Sequence, residues 1–354
     1  MKREGLLFLK HLTNTIFLLL QMKGYPFTTY LVAFGILLTS CAPAPFPVSP
    51  TVTPLLATPT LTDIQAAPTL MPTILPSPTD IKNPTATPIL CDAYLEFCLD
   101  DGHFLLARPI DATYLNQIER GYRYGTTVDG KRDPHHGVEF SNASGTPVLA
   151  AAAGTVIFAA DDKPAIFSPW SRFYGNLVVI QHDLPEITEP IYTLYAHLST
   201  IQVEEGEVVQ AAQQVGEVGM SGGAIGSHLH FEVRVGGKTY TDTRNPELWL
   251  KQLSGNHGAI VMRVANQDGK LIRIPLLVDK VEDAESTFER VARLEAYAPE
   301  NYPVGVDDIW EETHAIADLP VGKYRLSFSY AGKNWERFVE VRPTKVTAVY
   351  FMID

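Results

Sequence analysis

From residue 104 onward the chain breaks into short runs rich in Val, Ile, Tyr and Phe, separated by Gly, Asn and Asp. Residues 147–151, 154–160, 176–182, 192–198 and 228–235 are such runs, and no sustained helical period lies between them. Successive side chains of a strand point to opposite faces, so these runs predict an antiparallel all-β unit. Ser254-Gly255-Asn256-His257-Gly258 marks a boundary. Beyond it, residues 259–264, 271–278, 323–330, 336–341 and 345–352 predict a second β-rich unit of about 100 residues. Residues 286–298 fit helix or strand by periodicity, and we read them as strand.

The first 90 residues have a different character. Residues 1–40 carry Lys2, Arg3, Lys10 and Lys23 against Glu4 as their only acid, with apolar runs at 16–20 and 30–38. Neither run reaches the roughly 20 residues that span a bilayer as a helix. A cationic start, a short apolar stretch and small residues describe an export signal. Its Leu38-Thr39-Ser40-Cys41 ending resembles the lipobox of bacterial lipoproteins, which implies lipidation of Cys41 as the first mature residue. Met22 offers a second start, because residues 22–40 by themselves make a compact lipoprotein signal. Residues 42–90 hold twelve of the 26 prolines and ten threonines, but only Asp63, Asp80 and Lys82 as charges. Proline lacks a donor and fixes φ, so residues 41–90 read as a lipidated Cys followed by a semi-rigid tether.

Forty acidic and 28 basic side chains give a net charge of −12, which argues against a nucleic-acid binder. Removing residues 1–40 takes away four bases and one acid, leaving 39 acids against 24 bases, a net −15. Such a chain gains nothing from anionic headgroups, so membrane attachment rests on the lipidated N-terminus. Three cysteines are too few for a disulfide scaffold. Cys91 and Cys98 remain either to pair in an oxidising compartment or to stay as thiols.

Six of the ten histidines fall between 135 and 230. In His228-Leu229-His230-Phe231-Glu232-Val233, alternation puts His228, His230 and Glu232 on one face and the three apolar side chains on the other. Imidazoles two residues apart, about 7 Å along a strand, can converge on one site. In His135-His136-Gly137-Val138-Glu139, His135 and Glu139 point the same way if the segment is extended, but a straight strand would hold them about 13 Å apart. For both to reach one ion the segment must bend, which Gly137 permits. Tyr195-Ala196-His197-Leu198 adds a histidine on a half-buried strand.

His135-x-Gly137-x-Glu139, Tyr195-Ala196-His197-Leu198 and Gly226-Ser227-His228-Leu229-His230-Phe231-Glu232 together resemble the lysostaphin/LytM-type zinc endopeptidases that cut peptidoglycan. The resemblance spans about residues 105–250 and includes Gly145-Thr146-Pro147-Val148, Gly154-Thr155-Val156 and Tyr174-Gly175-Asn176. It implies His135, Glu139 and His230 as Zn2+ ligands and His197 and His228 as catalytic, non-ligand histidines. Three protein ligands leave a fourth tetrahedral position for water, as hydrolysis requires. One departure stands out: the family's aspartate ligand is Glu139 here, one methylene longer.

The other histidines fit plainer roles. His136 takes an exposed or supporting place, His182 is structural, and His103, His257 and His314 have no partners at ligand spacing. Residues 203–218 resemble the hairpin of lipoyl or biotinyl carrier domains without a Met-Lys-Met site, and read as a hairpin of the peptidase unit. Asp318-Leu319-Pro320-Val321-Gly322-Lys323-Tyr324 resembles a turn of prealbumin- or carboxypeptidase-regulatory-like β-sandwiches. The expected organisation is therefore a signal at 1–40, a tether at 41–90, a LytM-type peptidase at 91–254 and a prealbumin-like β-sandwich at 255–354. The C-terminal unit shows no catalytic cluster and no readable partner. The resemblance implies a zinc-dependent endopeptidase acting on peptidoglycan stem or bridge peptides, extracytoplasmic and lipid-anchored to a bacterial membrane. Two other readings keep the fold: a non-catalytic wall-binding or activator module, and a zinc peptidase acting on proteins.

Overall fold

The computed structural model describes residues 91–282, 287–297 and 304–354. The expected signal segment, Cys41 and the tether lie outside the described residues. In chain order the first strands are β1 (Cys98–Asp101), β2 (Val138–Phe140), β3 (Pro147–Leu149), β4 (Gly154–Asp161), β5 (Asn176–His182) and β6 (Ile191–Leu198). There follow β7 (Thr200–Ile201), β8 (Val208–Val209), β9 (Gln214–Glu217), β10 (Leu229–Val235), β11 (Thr243–Arg244) and β12 (His257–Asn266). The last six are β13 (Leu276–Val281), β14 (Phe288–Leu294), β15 (His314–Pro320), β16 (Gly322–Tyr330), β17 (Lys333–Val341) and β18 (Lys345–Ile353). A single 3-10 turn at Pro246–Leu248 is the one helical element among the described residues. The fold is all-β.

An antiparallel seven-stranded sheet runs β11-β10-β6-β5-β4-β8, with β2 added on β10, and a small sheet β3-β9-β7 lies beside it. Its central strands are buried on both faces. Val178, Ile180, Tyr195, Phe231 and Val233 enter one cluster, while Leu177, Val179, Leu194 and Ala196 enter another. Two-sided burial explains why β5 reads as a nearly continuous apolar run.

The C-terminal unit is a sandwich of sheets β1-β18-β12-β15 and β14-β13-β16-β17. Ile260, Met262, Val264 and Phe351 from one sheet meet Leu276, Val278, Leu326 and Val341 from the other. The other face of the first sheet, bearing Ala259, Val261, Ala315, Ala317 and Ala348, joins the apolar core of the seven-stranded sheet. Residues this small let the two units share one apolar interior. Residues 98–101, grouped with the peptidase on sequence, pair with the last strand: Cys98 lies opposite Ala348 in β1–β18. Four residues, Cys-Leu-Asp-Asp, carry too little alternation to name a strand partner. A Cys91–Cys98 disulfide closes the turn before β1.

Candidate metal centre

Strand register brings the first two donors together. β2 pairs antiparallel with β10 so that Glu139 lies directly opposite His230. Opposed residues on one face stand about 5 Å apart, near enough for a glutamate and an imidazole to meet. His135 arrives from the irregular segment before β2, so the 13 Å reach of a straight strand never arises. Gly137 makes this possible for a reason other than bending alone: a Cβ there would stand 2.4 Å from Phe231 O and 2.9 Å from the His230 ring.

His135 Nε2, Glu139 Oε1 and His230 Nδ1 form a triangle with edges of 2.9, 3.1 and 3.2 Å. All three residues are buried, and they make up a His/Glu/His group able to hold a metal ion. Hydrogen bonds on the far sides of the rings decide which nitrogens face inward. His135 Nδ1 donates to Arg123 O (3.3 Å), which can only accept. His230 Nε2 lies 3.0 Å from Glu232 Oε1. Glu232 is fully buried and held as an anion by Arg234, whose Nε and Nη2 lie 2.9 and 2.7 Å from Oε2, and by Tyr174 Oη donating to Oε1 at 2.5 Å. When neutral, His230 donates from Nε2 to this anion, and its Nδ1 lone pair then points toward His135 Nε2 and Glu139 Oε1. With His230 neutral, the three lone pairs converge on one point, a donor set that fits a cation.

Electrostatics favour positive charge at the same point. Burial opposes charging His230, yet Glu139 and Glu232 push its pKa up to about 9. Burial likewise opposes the Glu139 anion, but His230, His135 and His228 hold it well below the usual carboxylate range. The longer glutamate side chain has a visible consequence: while Oε1 faces His135 and His230, Oε2 reaches to 2.8 Å from His228 Nε2.

His197 and His228 line the same cleft, about 380 Å³ in volume, with ring centroids 4.9 Å apart. Each donates Nδ1–H to a backbone carbonyl, Ser221 O at 2.9 Å and Gly226 O at 2.8 Å; this leaves His197 Nε2 as a basic atom, while His228 Nε2 faces the Glu139 carboxylate. Burial, then the neighbouring histidines, push His197 down to about 3, so this ring is neutral. His197 reaches the cleft by a bulge. Asn176 opposes Leu198 but Val178 opposes Tyr195, so β6 carries one extra residue there, and His197 has φ +62°. Without that bulge, alternation would turn His197 to the side of Tyr195, into the apolar core.

His136, expected to be exposed or supporting, is buried and stacked on Tyr240 with ring centroids 3.6 Å apart. Burial takes its pKa down to about 4. His182 is a buried structural residue between Ala153 O (2.8 Å) and Thr193 Oγ1 (2.7 Å). Sequence reasoning did not find the side pocket of about 320 Å³ beside the cleft, walled by Tyr122, Trp170, Phe173 and Tyr240 with Arg132 at its edge. Nor did it assign Tyr174 and Arg234 to the support of His230. The i, i+2, i+4 series His230, Glu232, Arg234 was the available signal.

Residues 133–242 match Peptidase family M23. Over 152 residues the chain is 33% identical to the peptidoglycan DD-endopeptidase ShyB of Vibrio cholerae, which covers 42% of this chain and 32% of that protein. It is 36% identical over 104 residues to the DD-carboxypeptidase/endopeptidase Mpg of Neisseria meningitidis, 29% of this chain and 21% of that one. The chain thus spans a third or less of the length of these curated relatives. Among solved structures, the catalytic domain of lysostaphin from Staphylococcus simulans is 28% identical and covers 39% of this chain and 95% of that domain, with a TM-score of 0.31.

Proposed function

We propose, because residues 133–242 match Peptidase family M23, that this protein is a zinc-dependent endopeptidase. Its substrates are the peptide cross-links of bacterial peptidoglycan, and lipidated Cys41 holds it outside the cytoplasm. The observation that carries the reading is the convergence of three lone pairs, from His135 Nε2, Glu139 Oε1 and His230 Nδ1, beside two further histidines in one cleft. The peptidoglycan activity named for the relatives supports the substrate class.

His135, Glu139 and His230 would hold the ion. When bound there, zinc supplies an acidified water and a Lewis acid for the scissile carbonyl. His197 brings an Nε2 lone pair, its tautomer set by Ser221 O, that can accept a proton from the attacking water or return one to the departing amine, and His228, with Nδ1 on Gly226 O and Nε2 beside Glu139 Oε2, stands in the same cleft as a donor. The extracytoplasmic anchor rests on the sequence pattern at residues 1–41. Incubation with purified sacculi, with and without chelator, tests the whole reading. Chelator-sensitive release of new peptide termini is expected. Binding without release would instead favour a wall-binding module, and cleavage of proteins but not sacculi a general peptidase.

A further inference from the structure

The segment that delivers His135 does not rest on the peptidase sheet alone. Glu295, just past β14 in the C-terminal sandwich, accepts hydrogen bonds from Thr126 Oγ1 (2.8 Å), Thr127 N (3.0 Å), Thr127 Oγ1 (2.7 Å) and Asp129 N (3.0 Å). Tyr124 donates to Gly305 O (2.9 Å) and packs edge-on against Tyr297. Gly125 lies so close to Tyr297 that a Cβ would stand 2.6 Å from its ring. Arg123 binds Glu247, whose Oε2 also accepts Ala317 N of β15 at 2.8 Å.

The same loop is wired to the candidate ligand. His135 N donates to Thr126 O (3.0 Å), Gly125 N donates to His135 O (2.7 Å), and Arg123 O accepts from His135 Nδ1 (3.3 Å). The turn is also strained: Val128 and Asp129 have φ of +53° and +55°. A β-branched residue rarely adopts that region, and bonds within the turn, from Lys131 N to Thr127 O (3.0 Å) and Gly130 N to Thr127 Oγ1 (2.9 Å), share its support with contacts from outside. The Glu295 carboxylate, on Thr127 and Asp129 at either side of Val128, is placed to supply them.

We propose that the C-terminal sandwich is a positioning element of the metal centre, with Glu295 as its main contact. It seats residues 123–129 and thereby keeps His135 Nε2 opposite Glu139 and His230. The proposal rests on the zinc reading above and adds to it a role for the second unit.

The full-length protein and its Glu295→Ala and Glu295→Gln variants should be compared by chelator competition for zinc and by melting with and without zinc. We expect Glu295→Ala to bind zinc about tenfold or more weakly, the lower end of what loss of a ligand's supporting partner costs. Its zinc-induced rise in melting midpoint should shrink accordingly. Glu295→Gln, which keeps the shape and one acceptor oxygen, should fall between. Should Glu295→Ala not fold, Thr127→Val removes one of the four donors and should weaken zinc several-fold. Variants that bind zinc as tightly as the wild type, with an equal zinc-induced rise, overturn the proposal even if they melt lower. A wild type that takes up no zinc overturns the zinc reading itself, and the proposal with it.

Discussion

Two buried polar clusters in this molecule look alike in composition and differ in how their lone pairs are spent. In the sandwich unit, Glu312 accepts from Tyr297 Oη (2.8 Å) and Asp307 N (2.9 Å), and His103 Nε2 meets Asp307 Oδ2 at 2.8 Å. His314 Nε2 donates to Ile274 O at 2.7 Å. Nitrogens and oxygens there face partners of the opposite kind. Around the seven-stranded sheet, Glu232, Arg234 and Tyr174 satisfy one another in the same way, but their effect is to turn His230 Nδ1 toward two other acceptors. Burial and charge are common to both clusters. Convergence of acceptors is not, and that distinguishes a candidate reactive centre from a structural network.

Removing a converging donor should break the contrast most sharply. His230→Ala is expected to lose bound zinc and cut wall hydrolysis by at least about 100-fold, checked by metal analysis and peptide release. His228→Ala should keep its zinc yet lose a similar factor in rate, on the order of 100-fold, so stoichiometry and turnover separate the two histidines. Next come the supports. Tyr174→Phe frees Glu232 from one donor and should weaken zinc by about tenfold in chelator competition, with the ion still bound at saturation.

The Glu312 site of the sandwich cluster should answer chiefly in stability. Burial, and then the charge of Asp307, push Glu312 up to about 8 from an ordinary 4.5. Below 4.5 the group is protonated both folded and unfolded, and between 4.5 and about 8 only the folded chain holds the proton. Its contribution is thus present at low pH and lost as pH rises through that window. Glu312→Gln should flatten the fall in melting midpoint from pH 5 to 8 relative to wild type. The smallest effect is expected from Arg293→Ala. Its pair with Asp129 is 46% and 63% exposed, so the loss should stay within about 0.5 kcal/mol by urea titration.

Much of this could be read from residue types and spacing because the relevant chemistry is local. Alternation in β10 puts His230 and Glu232 on one face, and β-branched and aromatic runs with Gly and Asn between them can only become strands. The strand at 314–320 escaped notice because β15 sits in a sheet buried on both sides and shows no polar alternation.

By itself, the sequence determined the all-β class, since periodicity carries that information along the chain, and its resemblance to a known family pointed to the five side chains that meet in the cleft. Tertiary structure decided the rest. Only strand register sets Glu139 opposite His230, and only a bulge at φ +62° turns His197 out of the core. Only the packing of Arg234 and Tyr174 around Glu232 selects the His230 tautomer. The support of the 123–129 loop by Glu295 joins residues about 170 positions apart. No local pattern records such a contact, because it exists only once two sheets have packed.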